Sequence, residues 1–144
     1  MRIFLDANVI FSAAKSDGAV RELLSRLHAG GHGLCADGYV IAEARRNLAA
    51  KDAAALTALE TLLPRLETSP FQATQLPADA FDLLPDKDRP VLAAAIRLGC
   101  DALVTGDRTH FGALYGKTIA GVTIHSPRSL AEALLIQERA AKQP

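Results

Sequence analysis

Short apolar runs alternate with longer amphipathic segments along most of this chain. The runs at Arg2–Leu5, His32–Ala36 and Ala102–Val104 are too short for buried helices, so they predict β-strands. Ile119–His125 alternates in polarity and is rich in β-branched residues, which predicts a further strand. Thr68–Pro77 contains two prolines, so only a brief strand at the edge of a sheet fits there. The pattern therefore predicts a sheet of short strands.

The segments between these runs have the 3.6-residue period of helices that bury one face. Ser16 or Asp17 is expected to cap the second helix, and Gly30 is expected to end it. The apolar face of that helix is formed by Val20, Leu23, Leu24 and Leu27. The other predicted helices are Val9–Ala14, Tyr39–Ala50, Asp52–Leu66, Val91–Leu98, Asp107–Leu114 and a last helix from Ser126-Pro127 to about Gln137, followed by a frayed tail at Glu138–Pro144.

Strands that alternate with helices in this order are typical of a parallel sheet covered by helices on both faces. We therefore predict an α/β fold whose central, mostly parallel sheet lies between two layers of helices. The sequence contains no internal repeat, low-complexity segment or linker, so we expect residues 1–144 to form one domain.

The composition narrows the functional classes. With 144 residues, of which 49% are hydrophobic, the chain needs neither disulfides nor a structural metal to form a core. Cys35 and Cys100 are far apart and are expected to be buried free thiols. The first apolar run meets Asp6 too early for a signal peptide, and no run has the length of a membrane span, so we expect a cytoplasmic protein. The net charge is zero, so any nucleic acid would have to be bound locally.

Acidic residues stand at the ends of predicted strands. Asp6 follows the first strand, Asp107 follows a later one, and Asp88 precedes a helix at a position that a crossover brings to the same side. The carboxyl ends of parallel strands meet at one edge of a sheet, so these carboxylates are expected to converge. Each one is also placed where an aspartate caps a helix, and capping alone is the simpler interpretation of any single residue. The combination of three such residues favours a functional site.

Glu43 adds a fourth acid from inside a predicted helix, where it flanks the buried stripe. A cluster of carboxylates is stabilised by a cation, and oxygen ligands without a histidine suit Mg²⁺ or Mn²⁺ rather than zinc. His110 and His125 are interpreted as surface or packing residues. Such an ion can activate water and neutralise a phosphodiester, so the pattern is typical of phosphate chemistry.

Four segments of the chain together resemble the PIN-domain nucleases, namely Arg2–Val9, Tyr39–Leu48, Asp86–Ala95 and Leu103–Asp107. The Asp-Ala-Asn turn after the first strand and the Thr-Gly-Asp turn after the later one are the most specific features. The resemblance covers nearly the whole chain, and it is strongest to the stand-alone prokaryotic VapC-like toxins of type II toxin–antitoxin pairs. It implies a PIN-like, Rossmann-like three-layer α/β/α fold and a metal-dependent endoribonuclease. It also implies a small cognate antitoxin and a homodimer.

Residue by residue, the resemblance implies that Mg²⁺ or Mn²⁺ is held by Asp6, Glu43, Asp88 and Asp107. Asp86 is two residues from Asp88 and is a further possible ligand. The resemblance also places Asn8 and Thr105 behind the ligands. From the sequence itself, the candidate contacts to an RNA backbone are the arginines next to these acids and on the Glu43 helix: Arg45, Arg46, Arg89 and Arg108.

Two other functional classes remain open at this point. A phosphoaspartyl phosphatase would need a second acid two residues after Asp6, and Asn8 occupies that position. A receiver-like or otherwise non-catalytic module of the same fold, binding a metal, RNA or a protein, would use the same acids without cleavage. Metal-dependent cleavage of a generic RNA distinguishes the nuclease from the binding module.

Overall fold

A computed structural model describes residues 1–142 and contains one six-stranded sheet. The strands are β1 (Arg2–Leu5), β2 (Gly33–Asp37), β3 (Glu67–Ser69), β4 (Ala102–Val104), β5 (Thr118–Ile119) and β6 (Val122–His125). They lie in the order β3-β2-β1-β4-β6-β5, and every neighbouring pair is parallel except β5 and β6. The predicted mostly parallel sheet, with a short strand at its β3 edge, is confirmed.

The helices in residues 1–142 are α1 (Ala7–Lys15), α2 (Ala19–Ala29), α3 (Gly38–Lys51), α4 (Leu56–Leu62), α5 (Ala78–Phe81), α6 (Arg89–Arg97), α7 (Arg108–Phe111) and α8 (Pro127–Ala141). α1 packs against α2, α3 and α4, while α6 packs against β4 and α8 against β6. The three-layer α/β/α fold is therefore confirmed. The short helix α5 has no counterpart among the predicted elements.

The two central strands, β1 and β4, form the middle of the hydrophobic core. Ile3, Phe4 and Leu5 in β1 and Leu103 and Val104 in β4 have no exposed surface. Parallel strands that are covered on both faces read as continuous apolar runs, which is why these two were plain in the sequence. Because helices pack on both faces of these strands, the positions at which the strands end are well defined.

The carboxyl ends of three adjacent strands meet at one edge of the sheet. Leu5 is in register with Val104, and Val104 is in register with His125. The next residue after β1 is Asp6, and the next after β4 is Thr105. This edge, called the carboxyl edge below, is therefore where side chains from distant parts of the chain come together.

Two helix predictions were wrong in detail. α2 is capped by Gly18 rather than by Ser16 or Asp17, and Gly18 provides no side-chain hydrogen bond. The predicted helix Asp52–Leu66 is divided into a 3₁₀ turn at Ala53–Ala55, then α4, then a second 3₁₀ turn at Leu63–Arg65. Pro64 lies in the second turn, where its missing N–H prevents the α-helical hydrogen bond.

The C-terminal part differs from the prediction in two ways. Ile119–His125 is a hairpin rather than one strand, because Ala120 and Gly121 have φ of 49° and 85° and form a two-residue turn. α8 continues to Ala141, and Glu138 pairs with Arg26 of α2 at 3.0 Å, so the helix does not end near Gln137. Of the predicted frayed tail, residues 143–144 lie outside the described part.

No helix in residues 1–142 combines the length and the apolar character that crossing a bilayer requires.

Candidate metal centre

Asp6 is the most enclosed acid of the carboxyl edge. Its side chain is 4% exposed, and its Oδ1 accepts the backbone N–H of Ala7 at 2.7 Å, which caps α1. Its Oδ2 accepts the Thr105 hydroxyl at 2.7 Å and the Asn8 side-chain amide at 3.2 Å. Capping therefore occupies only one oxygen of this carboxylate, while the second is oriented by groups from two strand ends.

Asn8 and Thr105 also join the two loops to each other. The Asn8 amide donates to Thr105 Oγ1 at 3.3 Å, and Asn8 Oδ1 accepts the N–H of Gly106 at 2.7 Å. A Cβ on Gly106 would lie 3.3 Å from Asn8 Oδ1, so a larger residue would require the Asn8 side chain to shift by a few tenths of an ångström. Thr105 Oγ1 also accepts the N–H of Asp107 at 3.2 Å. The structure thus brings both residues, predicted to lie behind the ligands, into contact with Asp6.

Asp88 and Asp107 approach each other around one histidine nitrogen. His110 Nδ1 lies 2.8 Å from Asp88 Oδ2 and 2.9 Å from Asp107 Oδ2. Asp107 Oδ1 caps α7 by accepting the N–H of His110 at 3.1 Å. Asp88 stands at the N-cap position of α6 but its side chain makes no capping hydrogen bond, although it is 7% exposed. Capping therefore does not explain why Asp88 is buried here.

Glu43 faces the same pocket from α3. Its side chain is partly buried, and its negative charge raises the pKa of Asp6. Tyr39, one turn earlier in α3, has a raised pKa because of burial and because of the charges of Glu43, Asp88 and Asp6. The structure therefore places Glu43 within electrostatic reach of Asp6 and on the side of α3 that faces the acids.

The pocket disfavours its own negative charge. Burial, followed by the charges of Glu43 and Asp88, raises the pKa of Asp6 from 3.8 to about 6, against the hydrogen bonds from Thr105 and Ala7. Burial also raises the pKa of Asp88, with His110 acting against it and Asp107 adding to it. Within residues 1–142, none of the four predicted acids forms an ion pair with lysine or arginine. A cation in this pocket would relieve the repulsion.

Asp86 does not join the acids. Its side chain is 95% exposed and pairs with Arg89, so the possibility that it is a ligand has no support from its position. Arg89 is also engaged elsewhere, since its Nε donates to the Phe81 carbonyl at 2.8 Å and its guanidinium lies 3.6 Å from the centre of the Phe81 ring. The turn that precedes α6 leaves the Asp86 carboxylate exposed and the Asp88 carboxylate buried.

The other arginines predicted to bind RNA differ in their availability. Arg45 pairs with Glu60 at 3.0 Å, which turns it toward α4. Arg46 is exposed and close enough to Tyr39 to lower the pKa of that tyrosine. Arg108 is exposed and has the same effect on Tyr115, whose hydroxyl donates to the Thr105 carbonyl at 2.8 Å. Arg46 and Arg108 therefore lie near the rim of the acidic pocket.

His110 was missed by the sequence analysis, and its interpretation as a surface or packing histidine is wrong. It stands three positions after Asp107, and that spacing places both side chains on one side of a helical turn. The helix that begins at Asp107 was predicted, but the sequence did not indicate that its first turn faces Asp88. We expected no histidine at the site, but His110 contacts both Asp88 and Asp107.

The donor set fits a divalent cation. Asp88 Oδ2, Asp107 Oδ2 and His110 Nδ1 all lie within 4.8 Å of one another. Asp88 Oδ2 and His110 Nδ1 are buried atoms that complete no hydrogen bond of normal geometry. Two carboxylate oxygens and an imidazole nitrogen are suitable ligands for Mn²⁺ and related ions, and carboxylates alone are suitable for Mg²⁺.

Comparison with known proteins identifies the fold family. The family model described as PIN domain matches residues 2–109. Among solved structures, VapBC2 from Rickettsia felis, bound to a DNA fragment from its promoter, matches with a TM-score of 0.65 at 19% identity, covering 88% of this chain and 98% of that one. FitAcB from Neisseria gonorrhoeae matches with a TM-score of 0.57 at 22% identity, covering 88% and 98%.

A third structure is Mycobacterium tuberculosis VapC20, described as a toxin that cleaves the Sarcin-Ricin loop. It matches with a TM-score of 0.54 at 16% identity, covering 77% of this chain and 94% of that one. A search of curated proteins found no match. The family model spans most of the chain and includes Asp6, Glu43, Asp88 and Asp107. The chain belongs to the PIN-domain family.

Proposed function

We propose that this protein is a metal-dependent endoribonuclease that hydrolyses RNA phosphodiester bonds. The observation that carries the proposal is the convergence of buried acids at the carboxyl edge without a neutralising lysine or arginine in residues 1–142. Buried charge that the protein leaves uncompensated costs stability, and a bound ion offsets that cost. Asp88 supports this view most directly, because it is buried at a helix start that it does not cap.

Asp6, Glu43, Asp88 and Asp107 are the residues that would hold Mg²⁺ or Mn²⁺, and in this proposal they are the catalytic residues. When bound, the ion supplies a more acidic water and neutralises charge on the phosphodiester. Thr105 and Asn8 keep one oxygen of Asp6 directed into the pocket, since both donate to the same atom. Groups that orient a ligand in this way typically contribute 10- to 100-fold to affinity or activity.

Arg46 and Arg108 are the proposed contacts to the RNA backbone. Both are exposed, and they border the pocket beside Tyr39 and Tyr115 respectively. Arg45 and Arg89 are less suitable, because each guanidinium already has an acidic partner. A backbone contact of this kind positions RNA without selecting its sequence.

We further propose that the protein is the toxin of a toxin–antitoxin pair, inhibited by a small cognate antitoxin, and that it forms a homodimer. The structural relatives that are described as VapBC and FitAB assemblies support this proposal at the level of the fold. VapC20, described as a Sarcin-Ricin loop cleaving toxin, supports the choice of RNA as substrate.

We also propose that residues 1–144 fold as one domain. A single hydrophobic cluster extends from Ile3 to Leu134 and includes residues of all three layers. Thermal unfolding should then show one cooperative transition, whereas two separate transitions would argue for two units.

The test of the enzymatic proposal is cleavage of a generic single-stranded RNA by the purified chain. We expect cleavage with Mg²⁺ or Mn²⁺, none with chelator, and none with Asp6→Asn. Asp86→Asn is the matched control, because Asp86 is an exposed neighbour of the site and should leave cleavage unchanged. Metal binding without cleavage by the wild-type protein would favour a non-catalytic module instead. Growth arrest on expression, lost in Asp6→Asn, would support the role as a toxin.

A further inference from the structure

His110 lies between two of the proposed metal ligands. A single ring atom, Nδ1, lies 2.8 Å from Asp88 Oδ2 and 2.9 Å from Asp107 Oδ2. The main chain fixes its position, because the N–H of His110 donates to the other oxygen of Asp107 at 3.1 Å. His110 is therefore part of the turn that Asp107 itself forms, and its side chain is 28% exposed.

These short contacts lack the geometry of an ordinary hydrogen bond. His110 Nδ1 and Asp88 Oδ2 are both buried atoms, yet neither completes a hydrogen bond of acceptable direction. The nitrogen and the two oxygens are instead spaced like neighbouring ligands of one ion. For metal–ligand bonds of about 2.1 Å at right angles, adjacent ligand atoms lie about 3.0 Å apart. The observed separations are close to that value.

We propose that His110 Nδ1 is a metal ligand of this site, beside Asp88 and Asp107, and that it makes the site selective for Mn²⁺ over Mg²⁺. The inference rests on the proposed metal-dependent function, and it goes beyond the set of four acids. A ring nitrogen is a poor ligand for Mg²⁺, which prefers oxygen, whereas first-row transition ions accept imidazole readily. Replacement of an oxygen ligand by nitrogen therefore changes which ion is preferred.

The competing interpretation is that His110 is only a counter-ion, a protonated ring that neutralises the two carboxylates. The two interpretations predict opposite effects of removing the ring. If His110 is a counter-ion, its loss empties the pocket of positive charge, and Mn²⁺ should bind more tightly. If His110 is a ligand, its loss should weaken Mn²⁺ binding more than Mg²⁺ binding.

The direct test is pulsed electron paramagnetic resonance of the full chain loaded with Mn²⁺. We expect nuclear modulation of the Mn²⁺ signal by a coordinated histidine nitrogen. The modulation frequencies should change from those of ¹⁴N to those of ¹⁵N when the protein carries ¹⁵N-labelled histidine. The modulation should vanish in His110→Asp and in His110→Asn, two variants that are compared so that the result does not depend on one substitution. His28→Asn is the matched control, since His28 is an exposed histidine at the end of α2, and it should keep the modulation.

A binding titration gives the second readout. In His110→Asp, the ratio of Mn²⁺ affinity to Mg²⁺ affinity should fall about 10-fold or more relative to wild type. If wild-type protein binds Mn²⁺ and cleaves RNA without nitrogen modulation, the inference about His110 is overturned and the proposed nuclease stands. Tighter Mn²⁺ binding in both variants would likewise overturn it in favour of the counter-ion. Failure of wild type to bind any divalent ion would overturn both proposals.

Discussion

Both edges of the sheet carry acidic residues, but the acids differ in the groups that contact them. At the edge where the strands begin, called the amino edge here, Asp101 accepts the N–H of Arg2 at 2.8 Å and Glu67 pairs with the Arg2 guanidinium. The same guanidinium also donates to the Leu98 carbonyl at 3.1 Å. At the carboxyl edge, Asp88 and Asp107 both contact the His110 ring, and neither pairs with a lysine or arginine in residues 1–142.

The comparison separates structural acids from functional ones. An acid that is exposed, like Asp101, or paired with an arginine, like Glu67, needs no external ligand to explain it. Acids that are buried together without a lysine or arginine partner lower the stability of the free protein, as the raised pKa of Asp6 indicates. The sheet therefore provides pairs of acids for substitution, one from each edge, that differ in environment but not in chemistry.

The largest expected effect is a difference in RNA cleavage between variants of the two aspartates on either side of β4. Asp107→Asn should reduce RNA cleavage at least about 100-fold, because it alters a proposed ligand rather than a residue behind one. Asp101→Asn lies at the amino edge and should leave the rate of cleavage unchanged. Initial rates at saturating metal would measure both. Equal loss in the two variants would mean that the edges do not differ in function.

The pH dependence of stability is the next largest effect. The pKa of Asp6 is raised from 3.8 to about 6 in the folded state, so between these values the folded protein binds more protons than the unfolded chain. In the absence of metal, the free energy of unfolding should therefore fall as pH rises from below 3.8 to above 6, by roughly 3 kcal/mol in total from this residue.

The difference between wild type and Asp6→Asn isolates that contribution, since Asp88 changes stability with the same sign. Denaturant unfolding in chelator at several pH values is the measurement. The variant should have the shallower decline and should equal or exceed wild type in stability at neutral pH. A wild-type protein that becomes more stable, relative to the variant, as pH rises would show that Asp6 is stabilised as a carboxylate by the fold itself.

A smaller effect is expected from the hydroxyl behind Asp6. Thr105→Val removes the 2.7 Å hydrogen bond to Asp6 Oδ2 and should reduce metal affinity by about 10- to 100-fold. Thr118→Val is the control, since it removes the 2.8 Å hydrogen bond between exposed Thr118 and Thr123 in the hairpin. Calorimetric titration with Mn²⁺ compares them. Unchanged affinity in Thr105→Val would show that the loop orientation does not depend on this hydroxyl.

The smallest expected effect is a difference in stability between Asp88→Asn, at the carboxyl edge, and Asp101→Asn, at the amino edge. In chelator, Asp88→Asn should leave the melting temperature unchanged or higher, because Asp88 makes no capping hydrogen bond and its charge is repelled by Asp107. Asp101→Asn weakens the hydrogen bond to Arg2 and should lower the free energy of unfolding by about 0.5–1.5 kcal/mol. A clear loss of stability in Asp88→Asn would instead make Asp88 a structural residue.

The sequence was most informative where strand and acid are adjacent. The continuous apolar runs of β1 and β4 predict buried parallel strands, and the acids that follow them predict where those strands end. Glu43 is partly buried at the edge of the apolar stripe of α3, as the regular period of a helix predicts. These predictions use only neighbouring residues, and the structure agrees with them.

Predictions that depend on contacts between distant elements were less successful. His110 joins the pocket only because α7 turns toward Asp88, which is 22 positions away. Arg89 is turned from the pocket by Phe81 in α5, a helix too short to give a periodic pattern. Asp86 and Asp88 stand two positions apart in the turn before α6, and the orientation of that turn decides which of them is buried. Local patterns carry no information about such orientations.

The most direct test is the position of Mn²⁺ in crystals of the wild-type protein, located by anomalous scattering. We predict a peak within bonding distance of Asp88 and Asp107, on the side of the pocket that faces Asp6 and Glu43, and no comparable peak beside Asp101 and Glu67. Absence of a peak at the carboxyl edge at millimolar Mn²⁺, or an equal peak at the amino edge, would contradict the claim that uncompensated acids at one edge form a metal centre.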